Sequence, residues 1–253
     1  MTTPQEWLLC TAPNWIALRQ ESENTLIGQP KILAAPKEWS ALRLKISCEQ
    51  LPKVYEAERG QCLPKFCPER HINFDGSFCL GVDRTPVSDS VSAVSFWQAL
   101  YSHLIFQASA AKRAVWPDSN AWDHGDAYRP QQEGEALAIR LGIEQDFLLA
   151  REGKPTWITD RNTVKENEQG EVIAVDHPCP AGCRQRSSSA SQRPCEHSKD
   201  MIRLVQIERE RRKLLIEFWE LFREVSGCCG TMPNCPMAMS QEKFKECFSN
   251  YHN

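Results

Sequence analysis

His71-Ile72-Asn73-Phe74-Asp75-Gly76-Ser77-Phe78-Cys79-Leu80 is the stretch on which the reading of this 253-residue chain turns. It places a cysteine just after a Gly-containing turn, with an asparagine six residues upstream. A cysteine sulfur can carry an acyl group as a thioester, and a side-chain amide can donate to the oxyanion that forms during transfer. The pattern points to acyl-transfer chemistry on Cys79.

Working upstream, residues 41–47 alternate apolar and polar side chains, the period of a half-buried strand, with Leu42, Leu44 and Ile46 directed to a core. Residues 7–11, 15–19 and 26–33 are shorter strand candidates, punctuated by Asn14, Gly28, Pro30 and Pro36. The connections are too short for crossover helices, so an antiparallel meander is expected. Residues 51–79, with Pro52, Pro64 and Pro68, read as extended loop.

Downstream, Trp97, Leu100, Tyr101, Leu104, Ile105 and Ala108 recur at helical spacing. Ser88, Asp89 or Ser90 would cap that helix, and it should stop before Pro117. Two shorter helices are expected at 134–141 and 143–151, parted by Gly142. Residues 152–170 read as a linker, and 185–193 as a flexible Ser/Arg segment. A long helix should run over 199–226 and end at Gly227. Its buried stripe would be Leu204, Ile207, Leu214, Leu215, Phe218, Leu221, Phe222 and Val225.

Hydrophobic residues at 41% and charged residues at 25% fit an ordinary globular protein. A net charge of −3 gives no global case for nucleic-acid binding. The first seven residues lack a basic region leading into an apolar stretch, and no run is long enough to span a bilayer. A cytoplasmic location with no membrane partner is therefore expected. Twelve cysteines in that setting read as thiols, metal ligands or a nucleophile rather than a disulfide framework. None lies between Cys79 and Cys179, which divides the chain into two modules, 1–150 and 151–253.

The order of strand meander, proline-rich loop, His71-x-Asn73, Gly76, Cys79-Leu80 and a Trp-containing amphipathic helix resembles the ubiquitin-conjugating enzyme family over roughly residues 1 to 150. The family's usual His-Pro-Asn has Ile72 in place of proline here, and the Asn-to-Cys spacing is shorter by about two residues. These departures point to the divergent bacterial branch, some of whose members occur in cyclic-oligonucleotide antiphage signalling systems (CBASS). There a conjugating enzyme helps attach the C-terminus of a cGAS-like nucleotidyltransferase to a target.

The resemblance implies a role for each matching residue. Cys79 would hold the acyl group as a thioester, Asn73 would donate to the oxyanion, and His71 would shape the loop by hydrogen bonding. Within Trp122-Asp123-His124-Gly125, His124 would position or deprotonate the attacking amine, since an imidazole titrates near neutrality. Asp123 and Asp126 are the alternatives. Cys62 and Cys67, framing Leu-Pro-Lys-Phe, are read as ordinary packing ahead of a second reactive pair or loose metal ligands.

In the C-terminal module, Cys179, Cys183, Cys195 and His197 offer three sulfurs and one imidazole, a donor set suited to a structural zinc. Cys228, Cys229, Cys235 and Cys247 form a second group. An unbroken helix over 199–226 would be about 40 Å long, so Cys195 and Cys228 cannot share one ion. The basic segment 184–213 reads as a solvated helix face, with Glu208 and Glu210 among its arginines, ahead of a contact for nucleic acid or an acidic protein partner.

The expected architecture is α+β, an antiparallel meander packed on helices, followed by a cysteine-rich helical module. The expected function is a cysteine-dependent acyltransferase that moves the C-terminus of a protein partner through Cys79. No dinucleotide- or ATP-binding glycine loop is evident, so a separate activating enzyme is one source of the acyl group, and direct attack on an unusual bond is the other. A non-catalytic adaptor using the same fold as a binding platform is the alternative. A cysteine hydrolase is weaker still, for want of an evident Cys-His-Asn/Asp triad.

Overall fold

A computed structural model describes residues 2–33, 35–81, 85–117, 122–176 and 196–244. The chain begins with a helix, α1 (Pro4–Cys10), where a strand was expected at residues 7–11. The reason is local. Thr3 caps the helix, its side chain accepting from the Glu6 amide while the Glu6 carboxylate accepts from the Thr3 amide, and Pro4 occupies the first turn, where no amide donor is needed.

The meander follows as β1 (Ile16–Ser22), β2 (Thr25–Pro30), β3 (Leu44–Ser47) and β4 (Lys53–Glu56), antiparallel throughout and in sheet order β1-β2-β3-β4. Strand β4 lies inside the stretch expected to be loop. Val54 and Glu56 face inward and Lys53 outward, a period-two pattern too short to register beside three prolines. Leu42, Leu44 and Ile46 are all fully buried, as their alternation predicts.

Helix α2 (Ser90–Arg113) packs on this core through Ala93, Phe96, Trp97, Leu100, Leu104 and Ala108. Asp89 caps it, its carboxylate accepting from the Ser92 amide at 2.7 Å. The Trp97 indole donates to the Leu8 carbonyl at 3.3 Å and ties α1 to α2. Each fully buried leucine here contributes about 1.5–3 kcal/mol.

The described residues form two compact units, one from 1–121 with 226–240 and the other from 122–225 with 241–253. Residues 122–150, read above with the first module, thus belong to the second unit. The physical cause is the apolar face of α3 (Tyr128–Leu141), which packs with the long helix over residues 198–225.

That second unit contains α3, α4 (Glu144–Arg151), the strands β5 (Val164–Glu166) and β6 (Val172–Val175), and α5 (Ser198–Val225). Gly142 parts α3 from α4 in a left-handed conformation, φ 65°. Strands β5 and β6 form an antiparallel hairpin, β5 inside the expected linker and β6 just after it, and Ile158 and Val172 are buried beside Met201, Leu204 and Ile207 of α5.

Two expectations for α5 are corrected. Leu221 and Val225 are more than half exposed, so the apolar stripe does not continue to the end of the helix. The Arg/Glu face is solvated only in part, because Arg203 and Glu210 are exposed whereas Glu208, Arg211 and Arg212 are buried. Arg211 forks onto Glu208 at 2.7 and 3.0 Å and reaches Asp123 at 2.6 Å. Arg212 also binds Glu208 and donates to the Ala150 carbonyl at 2.9 Å. Charges withdrawn from water survive only when paired in this way. Helical spacing alone does not distinguish such a network from a solvated face.

Candidate active-site loop

Residues 66–80 cover the open edge of β4. The Phe78 amide donates to the Val54 carbonyl at 2.8 Å, and Ser77 bridges to Tyr55. Ile72 makes antiparallel bridges to both Cys67 and Phe78. Around the tip, the Asn73 amide donates to the Ser77 carbonyl and the Gly76 amide to the Asn73 carbonyl, both at 2.8 Å. The Cys79 amide donates to the His71 carbonyl, also at 2.8 Å.

This small hairpin explains the short spacing between Asn73 and Cys79. Side chains alternate faces along each strand, and residues paired across strands share a face. Ile72 and Phe78 turn inward and are almost fully buried. The flanking pairs His71/Cys79 and Asn73/Ser77 lie toward the opposite face, where Cys79 is half-buried and Asn73 exposed.

Two turns each use a left-handed residue. His71, at φ 51°, ends the short 3-10 turn Pro68–Arg70, and Gly76, at φ 87°, closes the tip. The Asp75 carboxylate accepts from the Ser77 amide at 2.9 Å, and Ser77 accepts from the Asn73 side-chain amide at 3.0 Å. The Ser77 contacts and Lys53 hold the Asp75 carboxyl below the usual carboxylate range, against the opposing effect of burial. The Arg59 guanidinium clamps the tip by donating to the Phe74 and Lys65 carbonyls at 2.6 and 3.0 Å. Glu56 is buried and receives the amides of Gly60, Cys62 and Leu63, which shapes the approach to the loop.

A buried polar relay behind the loop was not anticipated from the sequence. The Arg70 Nε donates to Gln107 Oε1 at 2.8 Å, which orients the amide of Gln107. Gln107 Nε2 then donates to the Arg70 carbonyl at 2.5 Å and stands 3.0 Å from His103 Nε2. An amide nitrogen only donates, so His103 Nε2 is the acceptor and the proton resides on Nδ1. His103 in turn hydrogen-bonds the Cys79 backbone, where a carbonyl is the matching acceptor. Burial, with the His71 and Arg70 charges, holds the His103 imidazole neutral, its pKa lowered to about 3. Its ring stacks on Phe78 at 4.9 Å, and Trp116 packs against both His103 and His71. The signal in the sequence was a polar pair, His103 and Gln107, four residues apart on the apolar face of α2.

The other predicted residues are placed as follows. In the second unit, the His124 ring stacks on Phe218 at 5.2 Å and meets the edge of Trp219 at 5.1 Å. Asp123 is engaged by Arg211. The Cys62 thiol donates to the Glu38 carbonyl at 3.4 Å, and burial with nearby Glu56 raises its pKa. Cys67 instead lies against Cys229, so Cys62 and Cys67 have different partners. Cys179, Cys183 and Cys195 lie outside the described residues, as does Cys247. His197 is half-buried just before α5, 3.5 Å from Glu196. Among the described residues, no group of three or more His, Cys, Asp or Glu side chains is placed to hold a metal ion.

The antiparallel sheet, the edge-bound cysteine loop and the helix behind it define an α+β domain in which Cys79 is half-buried on that loop. Residues 15–118 match the family model of a prokaryotic E2 domain, and residues 123–237 match that of a cysteine-rich domain C-terminal to the E2 domain. The chain is a divergent prokaryotic E2-like protein whose E2 domain is followed by a cysteine-rich domain. No curated protein and no solved structure matches it. No helix among the described residues is long and apolar enough to cross a membrane.

Proposed function

We propose that the protein is a thioester-forming acyl carrier and transferase of the E2 kind, with Cys79 as its nucleophile. What supports this reading is the half-exposed Cys79, fixed through its backbone by His71 and His103, in a domain matching the prokaryotic E2 family. The Cys79 sulfur attacks the carbonyl of an activated C-terminus, and the activating group leaves. An amine or thiol of the target then attacks the thioester, and Cys79 departs as thiolate, a good leaving group.

In this reading Asn73 donates to the transient oxyanion through the amide hydrogen not used on Ser77, a contribution on the order of 100-fold in rate. His71 keeps the loop in shape, and His124 handles the proton of the attacking nucleophile. The acyl donor is the C-terminus of a protein partner, a cGAS-like nucleotidyltransferase in an antiphage setting, loaded by a separate activating enzyme. A structural zinc on Cys179, Cys183, Cys195 and His197 completes the reading. Three thiols and an imidazole are a donor set that tetrahedral zinc accepts, and all four residues fall in the matched cysteine-rich domain. Metal analysis of the purified protein tests that part, and a protein free of zinc removes it.

The decisive experiment mixes the protein with the nucleotidyltransferase and its activating enzyme and looks for a thiol-sensitive adduct on a gel. The adduct should vanish in Cys79→Ala and persist in Cys62→Ala. No adduct under any of these conditions would favour a non-catalytic adaptor.

A further inference from the structure

Four cysteines other than Cys79 gather in the first unit, as two contacting pairs. Cys67 and Cys229 are within side-chain hydrogen-bonding reach of each other, as are Cys228 and Cys235. Since no three metal-ligating side chains among the described residues are placed to hold an ion, the chemistry to consider is that of a pair.

The two members of the first pair are unlike. Cys67 is buried, whereas Cys229 is half-buried. The Cys229 sulfur also has Thr231 Oγ1 at 3.0 Å and receives the Thr231 backbone amide, with the buried Arg70 guanidinium contributing positive charge nearby. A sulfur that accepts several hydrogen bonds beside a cation favours its ionised form. Glu69 opposes this, a carboxyl whose own pKa burial and Cys229 raise to about 7.

We propose that Cys229 is a second reactive sulfur, oxidised by a hydroperoxide to a sulfenic acid that Cys67 resolves into a Cys67–Cys229 disulfide. In the first step the Cys229 sulfur attacks the near oxygen of hydrogen peroxide. The O–O bond breaks, Cys229 becomes a sulfenic acid and hydroxide leaves, taking a proton from solvent. In the second step the Cys67 sulfur attacks the sulfenic sulfur, the S–S bond forms, and water leaves carrying the Cys67 proton. Overall two thiols lose two electrons and two protons, and one peroxide becomes two waters.

The division of labour agrees with the electrostatics. The hydrogen bond from Cys67, with Thr231 and Arg70, lowers the Cys229 pKa to about 5 against the effect of burial. The same contact and burial push the Cys67 thiol up, so it remains protonated until its partner is oxidised. Cys235 is a poor competitor, since burial raises it to about 12.

The bond would have a consequence at the candidate active site. Cys67 and Ile72 exchange two backbone hydrogen bonds, at 3.1 and 3.0 Å, and Ile72 bridges to Phe78, the neighbour of Cys79. The disulfide would therefore fasten residues 226–240 to the loop that presents Cys79. The site stands independently of the transferase reading, because neither sulfur takes part in it.

The test treats the reduced full-length protein with stoichiometric hydrogen peroxide, alkylates the remaining thiols, and maps cross-linked peptides by mass spectrometry with fragmentation. A Cys67–Cys229 link should dominate and be reversed by dithiothreitol. Before oxidation, Cys229 should alkylate at pH 7 at least about 10-fold faster than Cys235. In Cys67→Ser the Cys229 sulfenic acid should persist and take up dimedone. If that variant does not fold, the wild-type cross-link map decides alone. Oxidation at Cys79 or Cys228 that leaves Cys67 and Cys229 alkylatable would overturn the proposal. So would one zinc per chain that is lost in Cys67→Ala, which would make the cluster a metal site.

Discussion

The amide of Cys79 donates to the carbonyl of His71 at 2.8 Å, so the first and ninth residues of the motif face each other across a closed hairpin. His71 and Cys79 are thus a backbone pair, and the side chains between them are sorted by the pleat.

That hairpin depends on Gly76, which adopts φ 87° and whose missing Cβ would stand 2.8 Å from Arg59 Nε. Gly76→Ala should cost about 1–3 kcal/mol through backbone strain. It should also loosen the loop locally. Denaturant titration measures the first effect. A faster alkylation of Cys79 at fixed pH measures the second, and an unchanged rate would mean the turn tolerates the methyl group.

His103 makes a pH prediction. The fold lowers its pKa to about 3, from an ordinary value of 6.5. The unfolded chain therefore binds a proton that the folded chain refuses between those two values. The stabilisation is complete above pH 6.5 and is lost as pH falls toward 3, by up to about 1.4 kcal/mol per unit. In His103→Asn the side-chain amide still donates but does not titrate. Its stability should fall less steeply between pH 6 and pH 4, by about one proton in the slope. Parallel slopes for wild type and variant would contradict this.

Glu208 lies between two buried guanidinium groups, and burial is outweighed at Arg211 by the Glu208 and Asp123 charges, which raise its pKa. Glu208→Ala leaves both cations short of their partner and should destabilise the second unit by about 3–5 kcal/mol. Thermal unfolding followed by circular dichroism reads this. A loss below 1 kcal/mol would show that Asp123 or water replaces the carboxylate.

Gly134 of α3 sits against the Phe147 ring, so closely that a Cβ there would overlap it. Gly134→Ala should destabilise by about 1–3 kcal/mol despite the better helix propensity of alanine. Adding Phe147→Leu should recover part of that loss. Additive losses in the double variant would place the strain elsewhere.

The meander, α2, the helices flanking Gly142 and α5 were legible because each carries its period over several turns or pleats. Helix α1 was also encoded, in the Thr3 and Glu6 capping box, but seven residues carry too little periodicity to announce it. Strand β4 and the β5–β6 hairpin were missed because their three or four residues complete barely two alternations, whereas the alternation of the equally short β3 runs back to Leu42. Cys79 stood out by its neighbours in sequence, whereas His103 and Gln107 looked like two more residues on a helix.

By itself, the sequence determined the longer elements and the candidate nucleophile, because periodicity, caps and turns are local and a short motif carries its own chemistry. Only the tertiary structure decided which distant groups meet. It brought His103 to the Cys79 backbone, Glu208 and Asp123 to Arg211, and Cys229 to Cys67. Such pairings depend on how buried faces pack, and burial is what makes an unpaired charge or hydrogen-bonding group costly enough to choose its partner.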